Sequence, residues 1–535
     1  MDTGHIGSNI PAFSSGVPLP EMAVHLSPQD NVAVAKVNLH PGITLFLEAE
    51  EQPHAQVSVR QPIPSGHKVA LREIAAGAPV RRYGQVIGFA SRAILPGEHV
   101  HTHNVDVQDF ARDYAFGADV QPVTLVPERE RRTFLGYRRA DGRVGTRNTV
   151  AVVSTVNCSA HTCREIARYF TPERLAAYLN VDGVVAFTHH TGCTGHPGGP
   201  DYVFLQRILA GIARHPNVAA SVIVGLGCET NQPATLMEEY GLCGGNGMRS
   251  LCPPTLVIQD LGGIRKTVAA GIEAIERLLP VANAAHRTLQ PMSELMLALQ
   301  CGGSDGWSGV TANPVVGLVS DEVVRQGGTV VLAETPEIYG AEHLLTRRAV
   351  SLEVGQKLVA QVRWWEDYTR RLGVTIDNNP SPGNKAGGLT TIYEKALGAV
   401  AKGGRTPLMG VYEYAEPVIA RGFTFMNSPG YDPVSVTGQV AGGCNLVLFT
   451  TGRGSVFGFK LAPCIKISSN SATYERMMDD MDLDAGVVLS GAGLEEVAAE
   501  LLDLVVAVAS GRQSKSEAQG VGEAEFCPWS LGGLL

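Results

Sequence analysis

Four apolar runs of strand length each have a cysteine at their downstream end: "STVNC" leads to Cys158, "THHTGC" after "DGVVAFT" to Cys193, "VGLGC" to Cys228 and "LALQC" to Cys301. Helical patterns follow the first three, namely "SAHTCREIARYF", "DYVFLQRILAGIARH" and "IRKTVAAGIEAIERLL". A continuous apolar run reads as a strand covered on both faces, and a 3.6-residue pattern reads as the helix covering it. Strand, loop and helix repeated in that order build βα units, hence a mainly parallel sheet with helices on its faces. Ligands of such sheets bind beyond the carboxyl ends of the strands, where the following helices aim their free N–H groups. The four cysteines are therefore expected to share one sheet edge. Each thiol also reads as a small buried hydrophobe, and both readings stand. Cys163, Cys243, Cys252 and Cys527 lack the strand-end placement and read as filler. Ser159 is placed to cap the first helix.

At 535 residues the chain exceeds a single hydrophobic core. Residues 1–20 are rich in Gly, Ser and Pro and read as a flexible arm. Residues 21–104 hold short alternating segments such as "NVAVAKVNL" and "PVRRYGQVIGFA", broken by the turn signals "IPSG", "AAGAP" and "LPGE". This pattern predicts a small β module. The polar stretch 105–133, with "VPERERR", reads as a linker. A central α/β domain is expected over 134–288 and a C-terminal α/β domain over 289–535, closing on the helix "LEEVAAELLDLVVAVASG".

A formal charge of -9 argues against nucleic-acid or anionic-membrane partners, so an anionic ligand must meet a local basic cluster. No run of about 18 apolar residues appears, and no basic stretch leads into an apolar one at the start, which predicts a cytoplasmic protein without membrane contact. Ten scattered cysteines suit reduced thiols better than a disulfide framework. A homo-oligomer is left open.

The loop "CGGSDGWSGVTANP" (301–314) is dense in small hydrogen-bonding groups and can cradle a carboxylate or polyol. It lacks a closing Gly-Lys-Ser/Thr and GxGxxG spacing, which excludes the common nucleotide loops. Asp305 reads equally well as the cap of a turn. In "AETPEIYGAEH", Glu334 lies at a strand end, whereas Glu337 and Glu342 also read as helix-surface carboxylates, Glu342 above all. "NPSPGNKAGG" offers Lys385, "TTGRGSVFG" Arg453, "APCIKISSN" Lys466 and "VGTRN" Arg147 as the cations that the net charge demands. His67 lies in "PSGHKVAL". His99, His101 and His103 would face one side of a strand, a geometry adequate for a metal.

Taken together, "IPSGHKVAL", "YGQVIGFA", "GYRRADGRVGTRN", "GLGCETNQ", "CGGSDGWSGVTANP", "NPSPGNKAGG" and "TTGRGS" make the chain similar to the altronate/galactarate dehydratase family from about residue 22 to 535. The resemblance implies a β-clip (SAF-type) domain followed by two α/β domains. It also implies a hydro-lyase acting on a hexonate or hexarate with a divalent metal, Fe2+ as the usual ion and Mn2+ or another as substitutes. "EHVHTHN" and "PEIYGAEHLL" resemble the altronate branch.

Dehydration of a sugar acid removes the proton beside the carboxylate and expels the neighbouring hydroxyl, so it needs a base, a proton donor and cations. By side-chain type and strand-end position, the substrate is expected on Cys301, Gly302, Gly303, Ser304, Arg147, Lys385 and Arg453. The metal is expected on His67, His189, Cys193 and Glu334. Lys466 or His190 is the candidate base, with Asp305 as a further catalytic group. A cysteine-nucleophile hydrolase, a sugar-acid sensor and an iron–sulfur hydro-lyase with dispersed ligands are the competing readings.

Overall fold

The computed structural model describes residues 16–47, 55–243 and 252–531, which fall into two units. The first comprises residues up to Asp109 together with Lys385–Glu394, and the second Phe110–Asn384 together with Lys395 onward. Residues 1–15 of the expected arm lie outside the described residues. Residues 17–20 are not loose: Val17–Pro18 pairs in parallel with Leu45–Phe46, and Leu19 is buried in a cluster with Leu39, Leu45 and Ile63. Removing Leu19 from water, at roughly 25 cal/mol per Å2 of apolar surface, is what orders this stretch.

The first unit is built from short, mostly antiparallel strands. Val32–Ala35, Lys68–Ala70 and His99–Val100 lie side by side, and Pro79–Arg82 pairs with Gln85–Ala90. The alternating patterns mark these strands, although turns shorten each one. The inserted segment completes the interior. Glu394 accepts from Lys68 Nζ at 2.9 Å and from Arg82 at 2.6 Å, all three side chains being fully enclosed. Gly388, at φ +103°, comes so near Gly66 O that a Cβ would lie 2.1 Å from it, so only glycine permits the approach.

The second unit carries two parallel sheets. In the smaller, Thr149–Ser154 lies between Gly183–Phe187 and Val218–Gly225, with Thr255–Val257 outermost, a chain order of 2-1-3-4. The larger has seven parallel strands in the spatial order Leu408–Tyr412, Gly422–Met426, Thr329–Leu332, Met296–Cys301, Leu446–Thr451, Cys464–Ser468 and Leu483–Asp484. Met296–Cys301 is the first of these in the chain yet sits in the middle, so the order reverses around it. A small antiparallel sheet pairs Thr133–Arg138 with Val144–Gly145 and Thr288–Pro291.

Two local expectations need correction. The helix Asn157–Tyr169 starts ahead of Ser159 with Val156 at its N-cap, and Ser159 Oγ donates instead to Val156 O and Val224 O. Cys243 and Cys252 form a disulfide rather than two free thiols; their Cα atoms are 4.4 Å apart, within disulfide reach. No helix among the described residues is long and apolar enough to cross a membrane.

Candidate functional site

Met296–Cys301 delivers Cys301 to the carboxyl end of the larger sheet at the place where strand order reverses, the general ligand-binding position of open α/β sheets. The next strand, Thr329–Leu332, delivers Glu334 and, through the 3-10 turn Thr335–Ile338, Glu337. Glu334 is held at φ 71°, a left-handed conformation that costs a non-glycine residue about 1–3 kcal/mol and persists only where its surroundings enforce it. Lys395, Lys402 and Asp432 come from the helix Ile392–Val400, the turn Ala401–Gly403 and the start of the helix Asp432–Ala441.

Cys301 Sγ accepts from Lys402 Nζ at 2.8 Å and faces Glu337 Oε2 at 3.5 Å. Glu337 Oε1 accepts from Lys395 Nζ at 2.5 Å and from Asn379 Nδ2 at 2.8 Å. Burial pushes the Glu337 carboxyl up, but Lys395 and Lys402 outweigh it and keep Glu337 ionised below its ordinary value. Glu334 moves the other way. Burial and the neighbouring Glu337 charge push it well above the carboxylate range, and its buried Oε1 has no hydrogen-bond partner. Burial, opposed in part by Lys402, raises the Cys301 thiol to about 11. Asp432 stands at about 6 through burial and Glu337, while Gln300 Nε2 donates to it at 3.2 Å. Gly302 makes room for it, since a Cβ there would lie 2.3 Å from Asp432 Oδ2.

This donor set fits a divalent metal. Ligand atoms of Cys301, Glu334 and Glu337 lie within 4.8 Å of one another, and the orphaned Glu334 oxygen is buried among them. One thiolate with two carboxylates suits a first-row transition ion. A second group with the same spacing lies in the first unit: His67, His99 and His101. Pairing of Val69 with His99 brings the three together, and His67 Nδ1 is 3.0 Å from His99 Nε2. Burial lowers all three imidazoles, His99 and His101 to about 3, so they stand neutral as metal ligation requires. His101 Nδ1 is buried without a partner. The strand ends at Val100, so an extended strand does not align 99, 101 and 103. The 101–104 turn folds His101 back through a bond from His101 N to Asn104 Oδ1.

The residues singled out from the sequence separate into several places. Cys301, Gly302, Gly303, Ser304 and Arg453 come together, because Gly303 O accepts from Gly452 N and Arg453 N, at 2.7 Å for the latter. Arg453 is exposed and Ser304 Oγ is buried without a partner. Asp305 acts as the turn cap: its carboxylate accepts from Trp307 N, Ser308 N, Ser308 Oγ, Ser469 Oγ and Asn470 Nδ2. Arg147 leaves no donor for a substrate, being committed to Glu517 through two nitrogens and to the carbonyls of Thr146, Val508 and Arg512. Lys466 pairs in register with Phe449, and Cys301 with Thr450, so Lys466 points to the opposite sheet face. Its amine donates to Phe457 O and Ser516 Oγ. His189 is a buried structural histidine lowered to about 4, with Nε2 on Ser154 O and Nδ1 near Thr191 Oγ1. His190 and Cys193 are exposed on the smaller sheet's edge, apart from the larger sheet's set. Lys385 belongs to the first unit and is half-buried. His67 groups with His99 and His101, and Glu334 with Cys301 and Glu337. Glu342 is not a surface carboxylate: it is fully buried and paired with Arg112 at 2.6 Å.

Lys395, Lys402 and Asp432 gave no sequence signal. The lysines lie in helix-like "IYEKALGAVAKGG", and Asp432 in "YDPVSV" reads as an ordinary acidic helix start.

Family models match almost the whole chain. They are the altronate/galactarate dehydratase SAF domain over residues 21–108, the D-galactarate dehydratase/altronate hydrolase second domain over 136–283, and the D-galactarate/altronate dehydratase C-terminal domain over 292–533. The chain is 37% identical to an altronate dehydratase of Escherichia coli strain K12 over 490 residues, covering 91% of this chain and 95% of that protein. It is 38% identical to a galactarate dehydratase (L-threo-forming) of the same organism over 84% of this chain and 87% of the relative. It is 33% identical to a (2R)-sulfolactate sulfo-lyase subunit beta of Chromohalobacter salexigens, over 73% of this chain and 95% of that subunit.

Proposed function

Because the chain belongs to the D-galactarate/altronate dehydratase family, a family of sugar-acid hydro-lyases, we propose that it dehydrates altronate to 2-keto-3-deoxygluconate at the Cys301–Glu334–Glu337 site. The observation that carries this reading is the orphaned, buried Glu334 oxygen beside a thiol and a second carboxylate at the sheet's reversal point. The altronate choice rests on the longer match, 91% of the chain against 84% for the galactarate relative.

Each step has a group to perform it. Arg453 and the Gly303–Ser304 backbone bind the substrate carboxylate, an anion that the net negative protein must meet locally. Asp432, poised at about 6, takes the proton beside that carboxylate. Lys395 and Lys402 offset the charge that develops on the enediolate, an interaction strengthened by their burial. Lys402, already a donor to Cys301, hands a proton to the departing hydroxyl. An iron(II) ion held by Cys301, Glu334 and Glu337 would supply Lewis-acid polarisation of the substrate.

The test is anaerobic turnover of the full chain, with ferrous iron and with chelator, on altronate, galactarate, other aldonates and (2R)-sulfolactate. Formation of a 2-keto-3-deoxy acid from altronate in preference to the others is the expected outcome. Faster turnover of galactarate reassigns the substrate, and no keto acid from any sugar acid overturns the reading.

A further inference from the structure

The smaller sheet holds chemistry that the dehydration site does not use. Cys158, Cys193 and Cys228 are free and exposed, and they follow the first, second and third strands of one parallel sheet. Its order, 2-1-3-4, puts the first strand between the other two, so all three thiols lie at one edge, again where strand order reverses. The other unbonded cysteines are different. Cys163, Cys301, Cys444 and Cys464 are buried, and Cys527 is half-buried.

The first turn of the helix Asn157–Tyr169, which carries Cys158, and the loops carrying Cys193 and Cys228 form one frame. Asn157 N donates to Thr191 O at 3.0 Å, Thr230 N to Cys193 O at 3.0 Å, and Asn231 N to Gly192 O at 3.2 Å. Asn231 Nδ2 closes the ring on Thr155 O at 2.9 Å. The third loop is fixed further by buried Glu229, which accepts from Leu226 N, Gly227 N and Thr155 Oγ1. Gly192, at φ +93°, passes so close to Thr155 O that a Cβ would lie 2.3 Å from it. Three free thiols on segments fixed in this way suit soft metal ligation, and the helix Asn157–Tyr169 has no side-chain cap at its N-terminus.

The spacing speaks against a single ion held by all three thiols. Around one ion, thiolates at about 2.3 Å lie within about 4 Å of each other. Among the described residues, these three are not one of the groups whose ligand atoms fall within 4.8 Å. A cluster distributes its thiolates over several irons and takes a wider spacing. We infer that Cys158, Cys193 and Cys228 are the protein ligands of an iron–sulfur cluster of the cubane type, with one iron left to a non-cysteine ligand. A cavity of about 580 Å3 lined by Thr191, Gly192, Thr194, Thr230 and Asn231 opens beside two of the loops and admits a small oxygen ligand.

The inference does not depend on the Cys301 site, and its test does not depend on turnover. The full chain is reconstituted anaerobically with equal ferric and ferrous iron and with sulfide, desalted, and analysed for iron, acid-labile sulfide and visible absorption. About four sulfides per chain are expected, with about four irons beyond any held at Cys301, Glu334 and Glu337, and a sulfur-to-iron band bleached by dithionite. Cys158→Ser, Cys193→Ser and Cys228→Ser are each expected to lose most of the sulfide, whereas Cys527→Ser retains it. In unmodified protein, peptides carrying the three thiols should resist iodoacetamide when loaded and react after chelator treatment. Iron bound without sulfide, zinc uptake in its place, or a cluster retained by the triple variant overturns the proposal. So does equal alkylation of loaded and stripped protein.

Discussion

Lys402 Nζ lies 2.8 Å from Cys301 Sγ, and both side chains are shut off from water. The ammonium is the nearest counter-charge to a thiol that burial drives up to about 11. Lys402→Met removes both that charge and the proposed proton donor, with an expected loss in kcat of about 10²-fold or more. Steady-state kinetics under anaerobic conditions measure it, and an unchanged kcat takes Lys402 out of the reaction.

Glu334 and Glu337 are expected to respond oppositely to the same isosteric change. Burial and the Glu337 charge raise the Glu334 carboxyl and so favour its neutral form, so Glu334→Gln should leave the melting temperature nearly unmoved while bound iron falls by at least about tenfold. Glu337→Gln leaves Lys395 buried and without its anion, which is expected to cost about 3–5 kcal/mol of stability. Thermal melts and iron analysis on both variants separate the roles, and equal destabilisation would contradict them.

Asp432 supplies a pH signature. As a base it must be ionised, so kcat/KM should rise with pH through about 6 and level off above it. Asp432→Asn should lower kcat by about 10²–10⁴-fold and remove that acid limb. A limb that survives in the variant belongs to another group.

Glu394 sets the acid limit of the first unit. Burial pushes its carboxyl up, but Lys68, Arg82 and Thr390 together hold it at about 2. Burial lowers Lys68, which Glu394 partly offsets; with two cations on one carboxylate, the ionised form prevails. A depressed carboxyl stabilises the fold above its unfolded value near 4.5 and loses that stabilisation as pH falls toward 2. The contribution is about 3 kcal/mol. Hydrogen exchange in Lys68–Ala70 should accelerate as pH falls below 4.5, after correction for intrinsic rates, and Glu394→Gln should flatten the dependence while destabilising at neutral pH.

Elements set by local pattern were legible in the sequence. The apolar runs at Thr149–Ser154, Val218–Gly225, Met296–Cys301 and Leu446–Thr451 are strands, and the helices expected after the first three cysteines are present. The cysteines illustrate the limit of that reading. All four follow strands, but three belong to one sheet and Cys301 to another, because strand order depends on contacts between distant segments. The cations failed for a related reason. Arg147 and Lys466 sit in suggestive strings, yet Glu517 and Ser516, more than forty residues downstream, occupy them. Lys395 and Lys402 lie in a helix-like stretch that gives no hint of what they face.

The first unit borrows ten residues, Lys385–Glu394, from far along the polypeptide. A fragment ending at residue 109 would therefore lose Glu394, the carboxylate to which Lys68 and Arg82 both donate, and Gly66 would face no glycine loop. Excising this module for separate expression requires grafting the distant decapeptide back, by a linker or as a second peptide. A domain border drawn along the sequence alone would miss it.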